Sequence, residues 1–344
     1  MQGAEGSELS DQVAGTGALT VYVDAPGVSM AMPALIADAG EQAARATLEF
    51  FTARIPNAHT RRAYGRAVAA FCQWCHLRSV SLQGLSAPTV SAYLAGLRDG
   101  GDGLSLASIK LTASAIRHWL DFLTERGVLV YNPARSVRTE RLVVREGKTP
   151  VFSRDDGRRL FALLDAEAAT GDLLALRDRA LMAVMLYGFV RVGAAVAMRV
   201  RDFEDEGEHA SLVLHEKGGK QRRIACHHKT REYLRAYIAA AVFEPRAKEA
   251  LFQTAPGHRA VLTGEAMSIY DALRAVRRRC KAAGLPSSIS NHSFRATGIT
   301  VHQENGGRLE DAQELAGHAD ARTTRLYIRK ARKIAQAEVE RVQL

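Results

Sequence analysis

Apolar residues return every three or four positions over much of this 344-residue chain, and that helical period predicts most of its elements. The pattern begins near Ala43. Leu48, Phe51 and Ile55 share one face, then Tyr64, Val68, Phe71, Trp74 and Leu77 share another, with Pro56 and Asn57 punctuating between them. Pro88 stands in the first turn of a third helix carrying Val90, Tyr93, Leu94 and Leu97, which the glycine-rich loop at 99–103 ends. A fourth runs from Ser105 to Arg126 through Leu106, Ile109, Ala113, Ile116, Leu120 and Leu123. Residues 43–130 thus predict a small all-helical domain.

Residues 131–150 break the period. Pro133 and Pro150 bracket a run dense in Arg, Lys and Glu with no amphipathic face, which reads as an interdomain linker. Ser153 then caps a helix lined by Leu160, Leu163 and Leu164, and Asp172–Phe189 is a largely apolar helix. Within this second domain, 151–330, the stretch SLVLHEKGGKQRRIAC alternates and turns on Gly218-Gly219, the pattern of a β-hairpin. Beyond Lys229 the period is helical again. The expected fold is therefore mainly α with a small β-hairpin or sheet, of the α+β class. Residues 1–42, rich in Gly, Ala and Ser, show no sustained period apart from the short LTVYVDAP run, and read as a mostly disordered arm. Residues 331–344 place Ile334, Val339 and Val342 on a short amphipathic stretch.

Charge sharpens this picture. The formal net charge is +10, but residues 1–44 hold six acids and no Lys or Arg. All 47 basic residues and the other 31 acidic ones lie in 45–344, a surplus of 16 behind an acidic tail. A basic body of this size points toward nucleic acid, because each neutralised phosphate releases condensed counterions. No stretch approaches the length of a bilayer span and the first residues lack a secretion signal, so no membrane partner is expected. Four cysteines in so long a chain form no disulfide framework, which makes a reducing cytoplasm the expected compartment.

Taken singly, the polar candidates have ordinary explanations. Arg191 follows an apolar helix, where an Arg commonly complements the helix dipole. Lys217 sits beside a glycine turn, His292 and Arg295 are one helical turn apart, Gly317-His318 ends a helix, and Tyr327 lies beyond it. Together they meet a specific demand. Transfer of a DNA phosphodiester without metal needs two guanidinium forks for the non-bridging oxygens, an acid for the leaving oxygen, a base, and a nucleophile that preserves the bond's energy. No Asp/Glu cluster or HExxH spacing suggests a metal, and no cofactor is expected. Cys72 and Cys75 have redox spacing but lie among packing residues, and Cys226-His227-His228 is a weak metal motif without a partner pair. The GGDG and GG stretches are turns, since neither is followed by the Lys-Ser/Thr of a phosphate loop.

The order and spacing of these parts resemble the catalytic domain of the tyrosine recombinase (phage integrase) family, and similar runs occur in a branch from bacterial mobile elements. They read here as LYGFVRVGAAVAMRVRDFE with Arg191, LHEKGGKQRRIAC with Lys217, NHSFRATGIT with His292 and Arg295, and LAGHADARTTRLYIR with His318 and Tyr327. The first domain likewise resembles the family's helical core-binding (SAM-like) domain. The resemblance implies that Tyr327 attacks the scissile phosphate to form a 3′-phosphotyrosyl link, while Arg191 and Arg295 hold the non-bridging oxygens. Lys217 would protonate the departing 5′-oxygen, His292 would take the tyrosine proton, and His318 would hydrogen-bond the phosphate. It further implies double-stranded DNA as partner, a homo-oligomer on DNA that forms a tetrameric synapse, the tail 331–344 passed to a neighbouring protomer, and room for sister recombinases or accessory proteins. One position departs from the pattern: the acid usual three residues after the first Arg is Ala194 here, leaving Asp202 and Glu204 as weak candidates to brace Arg191. Two other readings stay open, a catalytically silent DNA-binding regulator on the same scaffold and a type IB topoisomerase-like enzyme.

The charge distribution carries a direct expectation. Affinity for duplex DNA, measured by fluorescence anisotropy, should fall steeply between low and physiological salt; a flat response would remove the electrostatic argument.

Overall fold

The computed structural model describes residues 21–25, 28–100, 103–140, 147–216, 219–244, 247–256, 261–318 and 324. The chain divides into two compact units, residues 1–143 and 144–344. It is mainly α-helical with a small antiparallel sheet, and among the described residues no helix is long and apolar enough to cross a membrane.

In the first unit, β1 (Val21–Ala25) pairs antiparallel with β2 (Val28–Met32), followed by α1 (Ala34–Ala37) and α2 (Glu41–Glu49). The latter continues as a π-helical turn over Phe50–Arg54. Three longer helices complete the unit: α3 (Ala58–His76), α4 (Ala87–Asp99) and α5 (Leu106–Glu125). Their starts follow from the sequence. The side chains of Asn57, Ser86 and Ser105 accept hydrogen bonds from the first free backbone amides, which no helical carbonyl can reach. Phe71, Ile116, Trp119, Leu120 and Leu123 fill the core, and Trp119 Nε1 donates to Thr47 Oγ1 at 3.1 Å. Cys72 and Cys75 are both buried in it, and burial raises each thiol's pKa, that of Cys75 to about 11, which keeps it protonated and unreactive at neutral pH.

This core reaches beyond the stretch whose periodicity announces it. Met32, Leu35 and Ile36, within the segment read as arm, are buried; α1 holds too few residues between Pro33 and Gly40 to display a period. Leu129, Ala134 and Val137, at the edge of the charged run read as linker, are buried as well. Arg117 on α5 holds that run by donating to the Ala134 and Val137 carbonyls, and Asn132 Nδ2 donates to Asp121 at 2.6 Å. Side chain-to-backbone bonds of this kind leave no hydrophobic pattern.

The second unit opens with α6 (Arg154–Ala169), whose Ser153 and Asp156 form a reciprocal capping box. At its centre lies α7 (Leu173–Tyr187), buried at every position from Ala175 to Met185. A short α8 (Val192–Val196) and a 3₁₀ turn (Val200–Asp202) lead into the sheet: β3 (Phe203–Glu206), β4 (His209–His215) and β5 (Gln221–Ala225), antiparallel in that order. The β4–β5 hairpin pairs His215 with Gln221, and the Glu216 amide donates to the Lys220 carbonyl across the turn. Strand β3 adds an edge that the acid-rich FEDE sequence does not suggest. Helices α9 (His228–Ala240), α10 (Ile269–Ala282), α11 (Asn291–Glu304) and α12 (Leu309–Ala316) complete the described unit.

Charges lie inside α7. Asp178 is fully buried and accepts from Arg177 Nη2 at 2.8 Å, Arg279 Nε at 3.0 Å and Arg278 Nη2 at 2.7 Å, joining α7 to α10. Arg177 also donates to the Gln253 carbonyl at 2.8 Å. Removing Asp178 takes the shared carboxylate from the buried Arg177 and Arg279, so Asp178→Ala should destabilise the second unit by about 3–5 kcal/mol, read from urea unfolding. A loss under about 1 kcal/mol, the scale of a surface pair, would show that this network does not hold the helices together.

Candidate active site

Arg191 is placed by the end of α7. The helix stops at Gly188, Phe189 takes a left-handed backbone with φ +50°, and Arg191 becomes the N-cap of α8 with its side chain 43% exposed. A left-handed conformation is costly for an aromatic residue, and here it turns the Phe189 carbonyl toward Arg295, which donates to it through Nη1. Arg295 lies on α11 and is 2% exposed; its Nη2 also donates to the Ala316 carbonyl at 2.7 Å and to His318 Nε2 at 2.6 Å. Gly298, one turn further on, lets α11 come this close. A Cβ there would strike the Leu186 carbonyl oxygen and lie 2.8 Å from Phe189 Cδ1.

Two histidines share this environment. His318 is 7% exposed, with Nδ1 2.8 Å from Thr324 Oγ1. A guanidinium cannot accept, so Nε2 must, and the proton sits on Nδ1, from which it donates to Thr324. Burial and the charges of Arg295, Arg191 and Arg222 lower the His318 pKa to about 4. His292 is exposed on the first turn of α11, and its pKa is also lowered, by partial desolvation and then by Arg295 and Arg191. Both imidazoles are thereby biased toward the neutral form at neutral pH.

A second set of contacts surrounds Arg191. Its Nη2 donates to the Gly317 carbonyl at 3.3 Å, and Nη1 lies 3.5 Å from Glu216 Oε1. The same carboxylate oxygen accepts from Arg222 Nη2 at 3.0 Å, while Arg222 Nη1 donates to the Leu315 carbonyl at 2.6 Å. Gly317 closes α12 in the left-handed region at φ +59°, and a Cβ there would come within 2.9 Å of both Glu216 Oε1 and Arg222 Nε. Glycine is thus required twice over, for its backbone and for space.

The structure therefore brings Arg191, His292, Arg295 and His318 together. Lys217 and Tyr327 lie outside the described residues, as does the tail 331–344. The weak brace candidates are engaged elsewhere: Asp202 accepts from the Arg199 amide at 2.8 Å and meets His215, and Glu204 pairs with Arg223. Sequence reasoning missed Glu216, Arg222 and Thr324. Strand alternation offered one signal, because Arg222 falls on the same face as Ile224 and opposite Leu214, where a core residue belongs. The Cys226-His227-His228 run is used in packing, with His227 stacked 4.2 Å from Tyr187 and its Nδ1 accepting from the Lys229 amide at the start of α9.

The phage integrase family model matches residues 152–333, and the model of the N-terminal SAM-like domain of phage integrases matches 51–127. The chain belongs to the phage integrase family. It is a site-specific tyrosine recombinase by that membership and by its relatives. Tyrosine recombinase XerC of Mycobacterium bovis BCG is 28% identical over 271 residues, covering 78% of this chain and 87% of the relative. XerC of Proteus mirabilis is 29% identical over 238 residues, 65% of this chain and 68% of that one. The fold is shared with XerH recombinase bound to its difH substrate (TM-score 0.62, 18% identity, 81% of this chain and 78% of that one). It is also shared with the integrase of the transposon Tn1549 in complex with circular intermediate DNA (TM-score 0.60, 12% identity, 87% and 98%).

The lowered pKa of His318 makes the second unit acid-sensitive in a defined window. The unfolded histidine titrates near about 6.5 and the folded one near about 4, so the unfolded state binds the extra proton first. Stability present above about pH 6.5 is lost as pH falls toward 4, on the order of 3 kcal/mol from this residue. His318→Gln, which cannot titrate, should flatten that slope in urea unfolding at stepped pH, leaving the smaller contributions of His292 and His227, whose pKa values are lowered too. An unchanged slope would contradict the assignment.

Proposed function

We propose that this recombinase cuts and rejoins double-stranded DNA through a 3′-phosphotyrosyl intermediate on Tyr327, without metal or ATP. The observation that carries the reading is that two guanidiniums converge on the end of α12, Arg295 on the Ala316 carbonyl and His318, and Arg191 on the Gly317 carbonyl next to them, with His292 one helical turn before Arg295. A phosphodiester in that space would meet two guanidinium groups whose remaining N–H donors suit the charge that grows on its non-bridging oxygens in the transition state. Neutral His292, exposed at the helix start, is in the form required to take a proton from the tyrosine hydroxyl.

In this mechanism the Tyr327 oxygen attacks phosphorus, its proton passes to His292, and the bond to the 5′-oxygen breaks as Lys217 supplies a proton to it. The covalent ester conserves the energy of the bond cut, so a 5′-hydroxyl from another strand can reverse the attack and join to the new partner. Arg295 stays in register through its bonds to the carbonyls of Phe189 and Ala316. His318, accepting from Arg295 in the present arrangement, would serve the phosphate as a donor only after exchanging its Nδ1 proton for one on Nε2.

The reading extends to domain roles and assembly. The first unit would be the core-binding domain and the second the catalytic domain, acting as a homo-oligomer on DNA, a tetramer at synapsis, with the tail 331–344 on a neighbouring protomer. A lambda integrase tetramer bound to a Holliday junction shares this fold (TM-score 0.61, 18% identity), which supports such an arrangement.

Tyr327→Phe should abolish the covalent protein–DNA adduct formed on a nicked suicide duplex from the junctions of the chain's own genomic element, while gel-shift affinity stays within about threefold of wild type. An adduct that survives in this variant would reject the nucleophile.

A further inference from the structure

We infer that Glu216 is the positioning residue for Arg191, taking the part that a carboxylate on α8 would otherwise play. The inference rests on the phosphodiester reading above and goes beyond it by giving a role to a residue to which the resemblance assigns none. Arg191 is the N-cap of α8, and Ala194 occupies the third helical position, from which an acidic side chain can reach back to the cap residue. Alanine cannot. Among the described residues Glu216 is the carboxylate that meets the Arg191 guanidinium, at 3.5 Å, and it comes from a different element, the turn after β4.

The carboxylate is itself held. Glu216 is 20% exposed, and its Oε1 is fixed by Arg222 Nη2 at 3.0 Å on the opposite strand of the hairpin. Arg222 is anchored by the Leu315 carbonyl at 2.6 Å, at the end of α12, and the next turn of chain supplies the Gly317 carbonyl that receives Arg191 Nη2. The contacts close a ring from β5 through α12 to Arg191 and back through Glu216. A side chain at 317 would enter the space of both Glu216 Oε1 and Arg222 Nε, so the glycine keeps the ring open to the carboxylate.

This geometry has a kinetic meaning. A 43%-exposed arginine on a short helix samples many rotamers, and a phosphate clamp must hold its fork in one of them. Glu216 restricts Nη1 while the Gly317 carbonyl restricts Nη2. Because Glu216 directly precedes Lys217, the same contact registers the hairpin against the clamp. The role is indirect: Glu216 touches Arg191, not the substrate.

The test compares wild type, Glu216→Gln, Ala194→Glu and the Glu216→Gln/Ala194→Glu double variant on the nicked suicide duplex, in single turnovers at saturating protein, with gel-shift affinity and melting temperature alongside. Glu216→Gln keeps the shape and loses the charge; it should slow adduct formation by about tenfold or more while affinity stays within about threefold, the signature of lost preorganisation rather than lost binding. The double variant should recover most of the rate, since a carboxylate at 194 restores Arg191's partner from its own helix, and Ala194→Glu alone shows that the new acid is tolerated. A rate for Glu216→Gln within about twofold of wild type, a loss that follows affinity or melting temperature, or no recovery in the double variant would overturn the inference. Absence of any adduct with the wild-type protein would instead overturn the phosphotyrosyl reading itself.

Discussion

The buried guanidinium of Arg295 is the constraint around which the second unit is arranged. Arginine cannot shed its charge, so a site that takes it out of water must supply acceptors in the plane of its fork. Here they come from three places: a carbonyl at the end of α7, a carbonyl at the end of α12, and the imidazole of His318. Each supply has its own requirement. The first needs Phe189 in a left-handed conformation, the second needs α12 to end at Gly317, and the third needs His318 to stay unprotonated on Nε2. The absence of a side chain at Gly298 then lets the helix that carries Arg295 close on the chain that carries Arg191.

Much of this was legible in the amino-acid order because recombinase chemistry needs rare residue types at fixed separations. His292 and Arg295 fall one helical turn apart whatever surrounds them, and Gly317-His318 marks a helix end by local rules alone. Tertiary partnership was not legible. Glu216 meets Arg191 across 25 positions and Arg222 meets Leu315 across 93, and no period relates such pairs. The same holds for Asp178, which sits in an otherwise apolar helix and finds its partners on α10. In the first unit, the burial of Met32, Leu35 and Ile36 escaped notice since a four-residue helix is shorter than the window in which periodicity can be seen.

The electrostatics of the site favour order without protonation. Three arginines surround His318 and two act on His292, so protonating either imidazole adds a like charge to an already positive neighbourhood. Phosphate entry would reverse that balance locally, since an anion between the forks offsets the charge that depresses the histidines. An anion bound there would thus tie the protonation states of these residues to occupancy by simple Coulomb coupling.

Phe189 joins two demands that pull in opposite directions. Its backbone lies where glycine is at ease, yet its ring packs against Ile299 and edge-on to His302, 5.7 Å away, pinning the carbonyl that serves Arg295. Relieving the backbone would release the ring, so local comfort and the placement of Arg295 cannot both be maximised at this residue. Efforts to toughen the protein by smoothing its unfavourable torsions would meet a boundary here, where discomfort of the chain is part of what holds a buried charge in place.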